Sequence, residues 1–162
     1  MNLLQATAAL ALLVATASCS SEAPAAAAAE ETSAMPESLW AAAPMSGAVD
    51  VLQAKRSPSG EVVVVKGQLQ DFGDLATFRL VDNSLAPCTD QCPEPWDFCC
   101  EDPTDVAAAT INVEFLEGDF PAPWGLKGAH GLDHLTAVCV KGTLHTDAAG
   151  NARLSATSIA TL

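Results

Sequence analysis

Residues 61–69, EVVVVKGQL, carry a run of four β-branched valines and are interrupted by a single glycine, Gly67. Such side chains suit a pleated, half-buried surface, so the run predicts a strand. Its pattern returns further along the chain: Val63-x-Val65-Lys66-Gly67-x-Leu69 recurs as Val138-x-Val140-Lys141-Gly142-x-Leu144. Glycine weakens the interior of a strand, and its presence at the same place twice predicts a bend or bulge in each copy. Small barrels need such bends at corners where a strand passes from one sheet to the other.

Three further segments read as strands. Residues 76–82, ATFRLVD, alternate apolar and polar with a period of two. Residues 109–116, ATINVEFL, do the same, with Ile111, Val113 and Phe115 on one face. A turn at residues 147–151, DAAGN, leads into residues 153–159. Between the third and fourth strands lies a Gly/Pro-rich connection, residues 117–133, with room for one helical turn around 125–135. Five strands, a glycine in the first and fourth, and a long connection between the third and fourth resemble the OB-fold, most nearly its tRNA-anticodon type, over about residues 60–161. The resemblance implies an all-β, five-stranded OB-like barrel with a Cys/Pro-rich insertion between strands 2 and 3.

In OB barrels nucleic acid lies across strands two and three and the adjoining loops. Those places carry Asp82, Glu101, Asp102, Asp105 and Glu114 in this chain. The formal charge is −13, and from residue 45 onward 16 acidic residues face 7 basic ones. Phosphate backbones are bound by Lys and Arg with release of counterions, so nucleic acid is not expected as a partner. Anionic lipid headgroups are disfavoured on the same ground. With 5 Phe, 3 Trp and no Tyr, a stacking platform for bases is poorly supplied as well.

The special chemistry is concentrated in residues 86–103, APCTDQCPEPWDFCCEDP, which hold Cys88, Cys92, Cys99, Cys100, Trp96 and four prolines. Proline blocks both helix and ladder, so this is a rigid loop held by disulfides or by a metal. In an oxidising compartment cysteines pair. Vicinal cysteines rarely bond each other, so Cys99 and Cys100 need different partners. Cys139 alternates with the core residues Val138 and Val140 and is expected on the outside of its strand. The expectation is two disulfides among Cys88, Cys92, Cys99, Cys100 and Cys139, one inside the loop and one tying the loop to Cys139.

A metal is the alternative. The run from Cys88 to Pro93 resembles the C-x-x-x-C-P motif of Sco-type copper-delivery proteins, in which two thiolates and a distant histidine hold copper. The resemblance implies Cys88 and Cys92 as ligands, with His130 or His134, spaced i and i+4, as the third. Thiolate and imidazole suit Cu(I) or zinc. No cofactor is required by the first reading; copper or zinc belongs to the second. Thiol redox catalysis is a third reading. It needs a thiol of lowered pKa near positive charge, and the acidic loop predicts the opposite. Trp96 and Trp124 are expected to cap the barrel ends; exposed as a pair, they would mark a binding surface.

Residues 1–19 have the apolar run and small residues of an export signal, too short for a stable membrane span. Thr16-Ala17-Ser18-Cys19 resembles the lipobox of bacterial lipoproteins, which implies lipidation at Cys19 and a cell-envelope location, in the outer membrane or on the periplasmic face. Residues 20–44 are rich in Ala, Glu and Pro, without an apolar stripe, and are expected to form a disordered tether. The barrel domain is expected over residues 45–162. The motif C-x3-C-P-x-P-W-D-x-C-C also resembles a group of exported bacterial lipoproteins with OB-like domains, which implies architecture and no activity. No Gly-rich phosphate loop, G-x-S-x-G elbow or H-E-x-x-H is present. A non-enzymatic module is expected, attached to the membrane by lipid and meeting an unknown envelope protein.

Overall fold

The computed structural model describes residues 34–88 and 92–162. The expected export signal, Cys19 and most of the expected tether lie outside the described residues.

Five long strands form the body: β2 (Val62–Phe72), β3 (Thr77–Val81), β4 (Thr110–Glu117), β6 (Ala137–Thr146) and β7 (Ala152–Thr161). Two short ones, β1 (Val49–Asp50) and β5 (Phe120–Pro121), attach at the edges. The order β2-β3-β4-β7-β6 returns to β2 through a β2–β6 ladder, so the barrel is closed and keeps no free edge among these five. β4 and β7 run parallel, and the other neighbours are antiparallel. This is the five-stranded OB-like barrel, with the cysteine loop inserted between its second and third strands.

Alternation puts Val63, Val65 and Leu69 of β2 inside, opposite Phe78 and Leu80 of β3 and Ile111, Val113 and Phe115 of β4. Leu144, Leu154 and Ile159 close the core from β6 and β7. Burying one such side chain contributes about 1.5–3 kcal/mol, so the inward rows dominate the barrel's stability.

The repeated glycines stand where backbones cross. At Gly67 strand β2 passes from its ladder with β6 to its ladder with β3, the two meeting at Gln68. The missing Cβ of Gly67 points at the carbonyl oxygen of Val81, and that of Gly142 at the carbonyl oxygen of Ser155. The β6–β7 register shifts between Lys141 and Gly142, which is the expected bulge.

Two short helices were not anticipated. α1 (Val51–Ala54) buries Val51 and Ala54, and α2 (Pro103–Ala108) starts with Asp102 accepting the Thr104 N–H at 2.7 Å. Lys55 joins them: its ammonium donates to the carbonyls of Ala107, Ala108 and Thr110 at 2.8–3.2 Å, satisfying the orphan carbonyls at the end of α2.

Packing starts ahead of residue 45. Met35 is buried in the core, Leu39 and Trp40 pack against it, and Trp40 bridges Ile159 in parallel. The part of the expected tether from residue 35 therefore belongs to the folded body. Its spaced apolar residues, Met35, Leu39 and Trp40, supply the buried area that an Ala/Glu/Pro composition conceals.

Candidate functional site

The cysteine loop grows from the end of β3 and is shut at its base by the Asp82 N–H donating to the Ala109 carbonyl at 2.9 Å. A 3-10 turn (Pro95–Asp97) reverses the chain, and Phe98 follows in the left-handed region at φ 55° with its ring fully buried. A buried phenylalanine with positive φ is uncommon; here the ring anchors the turn while the backbone sends Cys99 back toward Cys92. The Cys99 N–H donates to Asp97 Oδ1 at 2.8 Å, and the Cys88 N–H donates to the Pro95 carbonyl at 3.1 Å.

These turns bring three sulfurs together, with the backbone of Cys100 beside them. Cys92 Sγ lies 2.9 Å from Cys99 Sγ, and Cys99 Sγ lies 3.4 Å from Cys88 Sγ. The Cys100 N–H points at Cys88 Sγ at 3.1 Å. Asp97 Oδ1 stands 3.7 Å from Cys92 Sγ. One ligand atom from each of Cys88, Cys92, Asp97 and Cys99 falls within 4.8 Å of the others.

The electrostatics are uneven. Hydrogen bonds from the Cys100 thiol, the Cys99 thiol and the Cys100 N–H outweigh burial and hold the Cys88 thiol below its ordinary range. Hydrogen bonds to Cys92 and Cys88 push Cys99 up, and the bond to Cys88 pushes Cys100 up. The expected effect of the acidic loop is thus reversed at Cys88, because the nearest partners are donors rather than carboxylates. Cys88 is also buried, whereas Cys99 and Cys100 are exposed.

Neither histidine joins the thiols. His130 stacks on Trp40, ring centroids 4.1 Å apart, and its Nε2 faces Glu37 at 3.4 Å. His134 lies between Trp96, stacked at 4.2 Å, and the edge of Phe72 at 5.2 Å. Its Nδ1 faces the Gln70 carbonyl, which makes that nitrogen the donor and leaves Nε2 to accept from Lys127 at 3.1 Å. The ligand set with Cys88, Cys92 and a histidine is therefore corrected: Asp97 and Cys99 stand where the histidine was expected. The tryptophans separate as well. Trp124 is buried against Phe115 and is no binding surface, while Trp96 clips the loop to His134.

Cys139 does lie on the outer face of β6, opposite Lys66 and Ala160, yet it is fully buried. The segment ahead of β1 covers it, and the Met45 N–H donates to its sulfur at 3.2 Å. Among the described residues no loop sulfur meets it.

The face usual for nucleic acid also differs from expectation. Asp82 is buried as a cap and takes no part in that surface. Register instead aligns Arg79, Asn112, Arg153 and His145 in one row across β3, β4, β7 and β6. Arg79 pairs with Asp71, and Arg153 pairs with Glu114 at 2.8 Å. The arginines are compensated, so the row offers no unpaired guanidinium for phosphate.

No protein-family model and no curated protein sequence matches the chain. Solved structures do show similarity. A hypothetical protein, ygiW, from E. coli has 14% identity and a TM-score of 0.41 over 71% of this chain and 89% of its own. A putative aspartyl-tRNA synthetase from Leishmania major Friedlin has 12% identity and a TM-score of 0.43 over 76% of this chain. Aspartyl tRNA synthetase from Entamoeba histolytica has 9% identity and a TM-score of 0.46 over 80% of this chain. The chain spans only 23% and 26% of the two synthetases. At these scores the likeness carries no argument; the architecture rests on the strand pairing.

Proposed function

We propose that this protein is a non-enzymatic module of the bacterial cell envelope, tethered by lipid at Cys19, whose OB-like barrel presents a cross-linked, acidic loop to an envelope protein. The observation that carries this reading is the convergence of four cysteines in one loop clipped to the barrel by Phe98 and Trp96. A loop held this way keeps its carboxylates in a set arrangement for a basic partner surface, at low ordering cost on binding.

A second reading is favoured by the Asp97 carboxylate beside Cys88, Cys92 and Cys99: a soft-metal site for zinc or Cu(I). The sulfur spacing favours the first reading. A tetrahedral zinc–thiolate site, with bonds near 2.3 Å, sets its sulfurs roughly 3.7 Å apart. The 2.9 Å between Cys92 and Cys99 is closer than that.

One experiment separates the two. Full-length protein extracted from envelopes without reductant is expected to show no reactive loop thiol and no stoichiometric metal. Reactive thiols at Cys88, Cys92 and Cys99, with about one zinc or copper per chain, would overturn cross-linking in favour of the metal. The anchor has its own test. Cys19→Ala is expected to move the protein from the membrane to the soluble fraction and to abolish incorporation of labelled fatty acid. Unchanged fractionation, with no label in the parent protein, would remove the lipid from the proposal.

A further inference from the structure

We propose that the loop is closed by two nested disulfides, Cys92–Cys99 inside Cys88–Cys100, and that Cys139 is left as a sheltered free thiol beneath Met45. This rests on the cross-linked reading of the loop and goes beyond it by assigning the bonds.

The assignment follows from approach and exclusion. Cys92 and Cys99 make the shortest sulfur–sulfur approach, 2.9 Å, over a separation of seven residues. Cys99 and Cys100 are adjacent and cannot comfortably bond each other. Cys139 is held by the Met45 N–H on the barrel wall, with no loop sulfur against it among the described residues. Cys88 and Cys100 remain, twelve residues apart, with the Cys100 N–H 3.1 Å from Cys88 Sγ. The competing pair, Cys88–Cys99, is farther apart at 3.4 Å than Cys92–Cys99 at 2.9 Å, and it would separate Cys100 from Cys88, the sulfur its N–H faces.

The nesting has a structural consequence. The inner ring encloses Trp96, Asp97 and Phe98, the residues that clip and anchor the loop. The outer ring starts from the buried Cys88 and ends just before the helix cap Asp102. The two bonds therefore fix the turn from both sides, and neither draws on the barrel wall.

Each bond forms by thiol–disulfide exchange with a disulfide-donating oxidant. One loop thiolate attacks the donor disulfide to give a mixed disulfide. The second loop thiolate then displaces the donor sulfur. Two protons and two electrons leave the chain per bond, and the donor departs as a dithiol. Two donor equivalents are consumed per chain.

The test uses detergent-extracted full-length protein, acid-quenched, alkylated after unfolding and cut at acidic residues. These cuts separate Cys88, Cys92 and the Cys99-Cys100 pair. Only Cys139 is expected to carry the alkyl tag, and only after unfolding. Electron-transfer fragmentation of the linked three-peptide species, breaking the chain between Cys99 and Cys100, should leave the Cys92 peptide on Cys99 and the Cys88 peptide on Cys100. In parallel, Cys100→Ser should newly tag Cys88, and Cys99→Ser should newly tag Cys92. Crossed partners, or a bond to Cys139, would overturn the connectivity while leaving a cross-linked loop. Tags on all four loop cysteines of the parent protein would overturn the cross-linked reading itself.

Discussion

Gly67→Ala and Gly142→Ala are each expected to lower the melting temperature by roughly 10 °C or more. The cause is steric and lies in the backbone. A Cβ on Gly67 would overlap the Val81 carbonyl oxygen and sit 2.9 Å from Leu80 Cγ. One on Gly142 would overlap the Ser155 carbonyl oxygen and sit 2.9 Å from the Ala156 Cα. Neither obstacle is the mobile end of a side chain, so relief requires one strand to move off the other at a corner of the barrel. Overpacking of this kind costs about 3 kcal/mol. Gly73→Ala is the control, because there the obstructing atom is the Thr77 hydroxyl, which can rotate away. Differential scanning calorimetry of the three variants decides the matter. Melting of the Gly67 and Gly142 variants within a few degrees of the parent would show that the corners have slack.

Asp82→Ala is expected to cost about 3 kcal/mol at neutral pH, with a dependence on acid that identifies the cause. The Asp82 carboxylate is buried at the end of β3 and accepts the N–H groups of Leu52 and Ser84, both at 2.9 Å. Through Leu52 it fastens α1, whose own preceding residue, Asp50, makes no capping bond. Burial alone would raise its pKa. The hydrogen bonds from Leu52 and Ser84, aided by the charge of Lys66, outweigh burial and hold the group below its ordinary 3.8. A depressed carboxyl pKa means that the unfolded chain takes up the proton first as pH falls. The stabilisation is therefore complete above the ordinary pKa and is lost as pH drops through the folded value. Urea titrations should show the gap between parent and Asp82→Asn wide at pH 7, narrowing below about pH 4 and closing in stronger acid. A gap that stays constant with pH would mean that shape, not charge, holds α1 in place.

The barrel was legible because its signals are local. Alternation in residues 76–82 and 109–116 reports which side chains face inward, whatever the partner strand. The doubled Val-x-Val-Lys-Gly-x-Leu marked both corners, since only a backbone crossing makes glycine necessary in the middle of a strand. The density of Cys and Pro in residues 86–103 likewise marked a loop between strands, and the structure gives it one 3-10 turn, Pro95–Asp97.

Partners across space were another matter. Asp97 is one of five acidic side chains in that loop, and no pattern distinguishes it; the turn Pro95–Asp97 and the buried Phe98 turn its carboxylate toward the sulfurs. His130 and His134 have the spacing of metal ligands, but Trp40 and Trp96, distant in sequence, stack on them, and Glu37, Gln70 and Lys127 engage their ring nitrogens. Cys139 reads as an outward residue and is one, yet burial depends on what lies over a face as well as on which face it is. The covering segment carries its apolar residues without periodicity, so its docking could not be read from the chain. Local repetition by itself determined the strands, their corners and the place of the loop, because backbone geometry obeys neighbours along the chain. Only the tertiary structure decided which sulfurs meet, which histidines are occupied and which cysteine is sheltered, because each of those depends on contacts between residues that the sequence keeps apart.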